Sequence, residues 1–178
     1  MSQTFSIWVL IAFSLLLANL PFVIEKPFLV LPWSQKGESP RPMLVQLVLG
    51  GAFLLLVACF AWLVLTYLGR FSGLLADSSL EFVGKLFVVL VLAAALMSLP
   101  AYLSRKQRIQ KNFFTRFLEL LVFYALVGIL GFAFESHIGN RFAQGWEFYV
   151  ITLCLFLVMA YPGFVYRYLM RHPKGKFE

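Results

Sequence analysis

The sequence predicts an all-α, polytopic membrane protein of five transmembrane helices, with its N-terminus outside and its C-terminus inside. Three observations predict this. The 178 residues are 61% hydrophobic and only 13% charged, whereas a soluble domain carries about 25% charged residues. Five apolar runs, Phe5–Ile24, Met43–Leu68, Phe82–Leu103, Phe117–Phe134 and Phe148–Tyr166, approach or reach the length of a tilted spanning helix. Twelve of the fifteen Lys and Arg residues fall on one side of the membrane if these runs cross it in turn, which puts that side in the cytoplasm of a bacterial-type inner membrane. A single membrane domain, 1–178, is expected, with no room for a separate soluble catalytic domain.

The first run has no preceding positive charge, and its first charged residues, Glu25 and Lys26, come after it. It is therefore read as a retained helix and not as a cleaved signal. Pro21 near its end frees the carbonyl about four residues earlier and loosens the last turn. Asn19 is placed to re-satisfy that turn or to bond across to a neighbouring helix.

The connection 25–42 is rich in Pro and should be irregular, with Pro42 at the start of the second helix, where its missing N–H costs nothing. The third run opens with Glu81 and Lys85, a favourable i,i+4 salt bridge, and Asp77, Ser78 or Ser79 is available to cap it. Small residues four apart, Ser14/Ala18 and Ala94/Ser98, together with Gly128 and Gly131, favour close packing within the bundle. Cys59 and Cys154 lie inside apolar runs, the usual setting of a small buried hydrophobe. With so few cysteines, a disulfide or metal site is not expected.

Polar groups inside spanning segments are the candidates for function, because they are costly there. Glu119 leads, with Arg116 three residues before it on one helix face. The pair reads either as a proton-relay or partner-docking carboxylate, or as an ion pair near the interface. The segment from Glu135 to Glu147 gathers His137, Asn140, Arg141 and Gln144 beside Trp146 and Tyr149. It reads either as a lipid- or quinone-contacting cluster or as an aromatic interface belt. A single His with two separated carboxylates is too little for a metal. At the far end, Tyr161-Pro162-Gly163 should kink the fifth helix, with Tyr166 and Arg167 as interface anchors or a docking surface. The net charge of +7 is dispersed between apolar runs and does not form the stripe a nucleic-acid site needs. Membrane lipids are the expected contact.

Two stretches carry a resemblance. Ala18-Asn19-Leu20-Pro21-Phe22, followed by Glu25, is one. The other runs from Arg116-Phe117-Leu118-Glu119 through Gln144-Gly145-Trp146-Glu147-Phe148-Tyr149 to Tyr161-Pro162-Gly163-Phe164-Val165-Tyr166-Arg167. Together they resemble a domain-of-unknown-function family of short inner-membrane proteins of Gram-negative bacteria, sometimes encoded near the genes of respiratory complex I. The resemblance covers about 1–33 and 113–171. It implies a three-helix core into which 41–102 is inserted as a helical hairpin, and a respiratory neighbourhood, but no activity, cofactor or catalytic residue.

The resulting expectation is a non-catalytic accessory or assembly-helping subunit packed against a larger integral membrane complex. The rival readings are a small channel or transporter lined by Glu119 and Asn19, and an enzyme or binder for lipid or quinone that uses His137, Glu135 or Glu147.

Overall fold

In a computed structural model that describes residues 3–31, 42–68, 79–103, 111–138 and 142–170, every regular element is helical. The order is α1 (Gln3–Val23), α2 (Met43–Leu68), α3 (Ser79–Leu103), α4 (Phe113–Ile138), α5 (Trp146–Met159) and α6 (Tyr161–Val165), ending in a π-helical turn, Tyr166–Met170. Four of these helices are long and apolar enough to cross a membrane, and there are five if the bent pair formed by α5 with α6 and the π-turn counts as one span. The expectation placed on Asp77 and Ser78 as caps lies outside the described residues. So do Asn140 and Arg141.

The helices agree with the apolar runs, with two differences. α4 begins at Phe113, four residues before the predicted start, because polar Thr115 and Arg116 are both 2% exposed and belong to the packed interior. The fifth run is not one helix: it breaks at Ala160 and bends by 40° between α5 and the segment that follows. Pro21 is accommodated inside α1, which continues to Val23. Cys59 and Cys154 are exposed free thiols, not buried packing residues. Both sit on outward-facing sides of helical segments that are long and apolar enough to cross a membrane, and in lipid burial is no advantage to an apolar group.

α4 is the central element. Its packing against α1 is the most extensive among the described helices, and α1 also contacts α5, α6 and the π-turn. One core cluster joins Ala18 and Phe22 of α1 to Leu120, Phe123 and Val127 of α4 and to Phe156 and Ala160. A second, at the opposite end, joins Val64 and Leu68 of α2 and Phe82, Leu86 and Val89 of α3 to Leu130, Ala133 and Phe134. Much of α2 faces outward, with Leu47, Val48, Leu55 and Trp62 among its exposed side chains. Glu81 and Lys85 make the expected i,i+4 ion pair at 3.0 Å.

α3 is held at its first two turns, where Phe82, 2% exposed, stacks on His137 with ring centroids 4.1 Å apart and on Phe134 at 5.6 Å. Truncation of a buried Phe costs about 3–5 kcal/mol in a packed core. Phe82→Ala is therefore expected to release α3 more than any other element. Spin labels at exposed Leu92 and Leu16 check this: a broadened distance distribution in the variant is expected, and an unchanged one contradicts the assignment.

Candidate functional site

Asn19, Arg116 and Glu119 converge at the end of the bundle where α1 finishes and α4 begins, the end that carries four of the five described Lys and Arg residues, Lys26, Lys111, Arg116 and Arg167. A helix ending at Val23 leaves its last carbonyls without intrahelical partners. Arg116, in the first turn of α4, supplies them: its Nη1 donates to the Pro21 carbonyl at 2.8 Å and to the Phe22 carbonyl at 3.2 Å. A guanidinium at a helix C-terminus also opposes the negative end of the helix dipole, an effect worth up to ~2 kcal/mol when partly buried.

Glu119, one turn further along α4 and 1% exposed, does not form the expected pair with Arg116. Its Oε2 accepts from Lys111 Nζ at 2.6 Å and its Oε1 accepts the backbone N–H of Phe28 at 2.7 Å. Neither side chain of the Glu119–Lys111 pair is exposed. The ammonium also lies 4.5 Å from the centroid of the Phe28 ring, a cation–π contact strengthened by desolvation, and that ring meets Phe123 edge-on at 5.4 Å. The residues just after α1, expected to be a plain irregular loop, therefore fold back over the start of α4, with Pro27 and Leu29 buried. Lys111 and Phe28 had no counterpart in the sequence reading. The signal available was a lysine eight residues before a carboxylate, too long a separation to read as a pair without the turn between them.

Burial holds the Lys111 ammonium well below its usual 10.5, at about 8, against the opposing pull of the Glu119 carboxylate. Lys111 thus gives up its proton in the folded protein at a lower pH than in the unfolded chain. Between about pH 8 and 10.5 the unfolded state binds more protons, so this group's contribution to stability rises with pH across that window.

A second junction repairs the break in the fifth span. Pro162 has no N–H, and the bend leaves the Met159 carbonyl and the Gly163 N–H, partners in a straight helix, apart. The Asn19 carboxamide is inserted between them: Nδ2 donates to the Met159 carbonyl at 2.9 Å and Oδ1 accepts from the Gly163 N–H at 2.6 Å. The remaining Nδ2 proton goes to the Leu15 carbonyl of its own helix at 2.7 Å. Asn19 thus satisfies α1 and reaches a neighbour at once. Gly163 is required for the approach, since a Cβ there would lie 2.8 Å from Asn19 Oδ1 and 3.1 Å from its backbone oxygen. Pro21, fully buried, is part of the same contact region.

Arg167, in the π-turn, pairs with Glu25 at 2.7 Å, and Phe113, Phe164 and Tyr168 stack mutually beside it. Tyr161 and Tyr166 are exposed at this end, as Trp146 is at the other, the positions of interface anchors. Among the outer-segment candidates, His137 is engaged with Phe82 and Glu147 is exposed in the first turn of α5. No group of three His, Cys, Asp or Glu residues converges among the described residues. Tyr124, not singled out from sequence, hydrogen-bonds Thr152 and the Tyr149 carbonyl, both at 2.8 Å, tying α4 to α5.

Three outcomes follow from this geometry. Glu119→Gln or Lys111→Met alone leaves a buried charge without its partner and is expected to cost about 3–5 kcal/mol, with much of that recovered in the double variant. Thermal melts in detergent as a double-mutant cycle measure it, and Lys111→Met should also remove the rise in stability above pH 8. Asn19→Leu is expected to cost about 1–3 kcal/mol through two unpaired backbone groups, and Gly163→Ala a similar 1–3 kcal/mol through overpacking. Near-additive losses in Asn19→Leu/Gly163→Ala would contradict a shared contact.

No curated protein and no solved structure matches the chain. The sequence profile of one family matches residues 82–171, from the first turn of α3 through the π-turn, half of the chain. The matched segment holds Lys111, Arg116, Glu119, Tyr124 and Gly163, and also α3, the second arm of the hairpin that the resemblance set apart as an insertion. The chain belongs to this family, described as proteins of unknown function (DUF2818).

Proposed function

We propose that this protein is a non-catalytic accessory or assembly-helping subunit of a larger complex in a bacterial inner membrane. In this reading its N-terminus lies outside and the basic end of the bundle lies in the cytoplasm. One observation carries the proposal: the polar side chains that function would draw on are engaged in holding the helices together. Arg116 caps α1, Glu119 is bonded through both oxygens, and both amide protons and the oxygen of Asn19 are engaged. A path for protons or solutes needs polar groups facing a water-filled space, and a general acid needs a proton it can exchange. The two leading candidates are committed elsewhere. What the molecule presents outward is a broad apolar surface on α2 and α5, including Leu55, Trp62, Ile151 and Val158, which suits contact with lipid and with other membrane helices.

The resemblance to short proteins encoded near complex I genes makes a respiratory assembly the favoured neighbour. Affinity purification of the tagged protein from native membranes in a mild detergent tests the reading. Stoichiometric recovery of one large membrane complex, whose assembled fraction on native gels drops when the gene is deleted, is the expected result. Recovery of the protein alone, with every membrane complex intact in the deletion strain, would overturn it.

A further inference from the structure

Between α1, α2, α3 and α4 lies a cavity of about 340 Å³, at the lower end of the roughly 300–1,000 Å³ range of small-molecule sites. Leu17, Phe123 and Val127 form its back wall, and Val89, Ala94 and Met97 its α3 side. Among the described residues of the lining, Ser98 has the one polar side chain, and its hydroxyl is already bonded to the Ala95 carbonyl at 2.9 Å. Water needs two to four polar partners to occupy a buried space, so water does not fill this one. Left empty, an apolar void destabilises a protein in proportion to its volume.

Its position says what fills it. Ala94 and Ser98 line the cavity and are themselves exposed, so it opens sideways past the small-residue edge of α3 into the surrounding membrane. From Val89 to Ser98 the slot runs along about 14 Å of helix, close to the depth of one leaflet, half of a ~30 Å hydrocarbon core. Phe28 closes the end nearest the basic side. Lys26, two residues before it, is exposed, and the proposed orientation puts twelve of the fifteen Lys and Arg residues of the sequence on that side. Such a surface attracts anionic headgroups.

We propose that this slot holds one acyl chain of an anionic phospholipid from the leaflet at the basic end. The lipid completes the contact of α3 with α1 and α4 between its two packed ends, Phe82 in one core cluster and Met97 in the other. It is a resident structural lipid and not part of the exchanging annulus.

Native mass spectrometry of the full-length protein in mild detergent should show one retained phospholipid per chain. Ala94→Phe, which fills the slot, should lose it, while Leu92→Phe on the exposed face of α3 should keep it. A photoactivatable-chain phosphatidylglycerol, incorporated in vesicles with the unaltered protein, should crosslink at Ala94 and Met97. Delipidated protein should regain its melting temperature in phosphatidylglycerol vesicles and not in phosphatidylcholine vesicles. Four outcomes would overturn the proposal: no retained lipid with unchanged stability, an isoprenoid mass in place of a phospholipid, retention equal in Ala94→Phe, or crosslinks at Ala94 to a second copy of the chain.

Discussion

The junction between the end of α1 and the start of α4 is the constraint on which the rest of the bundle depends. Two charges, Arg116 and Glu119, are buried there at 2% and 1% exposure, and burying an unpaired charge costs several kcal/mol. The fold meets that demand from three directions. Carbonyls that α1 cannot satisfy for itself take the guanidinium. The loop after α1 turns back to present the Phe28 N–H, and the residues before α4 deliver Lys111. Each requirement places backbone at a defined point, so the pair of charges sets the register of α1 against α4 and the path of both connections. In lipid, where apolar packing alone supplies little preference between helix registers, such polar contacts provide the specificity.

Asn19 extends the same principle to the fifth span. A proline break in a membrane helix is tolerated when a neighbour re-satisfies the backbone groups it frees, and the carboxamide does so with the geometry of an added peptide unit. The bend then turns Phe164 and Tyr168 towards Phe113 and positions Arg167 for Glu25. α1, α4 and the bent fifth span are thus joined by hydrogen bonds that each reach across elements far apart in sequence. α2 and α3 are held differently, by apolar and aromatic packing centred on Phe82, and the slot beneath α3 lies between these two regimes.

Much of this was legible beforehand, and the boundary between what was and was not is physical. Apolar runs mark helices because lipid demands internal backbone pairing, so α2, uninterrupted by any charge between its loops, is delimited to the residue. The kink at Pro162-Gly163 and the bonding role of Asn19 follow from backbone chemistry readable locally. Arg116 and Glu119 lie i,i+3 on one helix face, but that proximity competes with tertiary partners, and here the tertiary partners win. Phe28 and Lys111 are visible only once the loop after α1 is known to fold inward. Nothing in Pro27-Phe28-Leu29 distinguishes a buried turn from an exposed one.

In the proposed role Glu119 holds α4 to Lys111 and to the Phe28 backbone and exchanges no proton. Carbodiimide labelling of membrane-embedded protein, mapped by mass spectrometry, tests it most directly, because the reagent modifies carboxyl groups that take up a proton in an apolar setting. Glu119 is expected to stay unmodified in the native protein and to become reactive in Lys111→Met; ready modification of Glu119 in the native protein, with inhibition of a proton or solute flux, would contradict its role in cohesion.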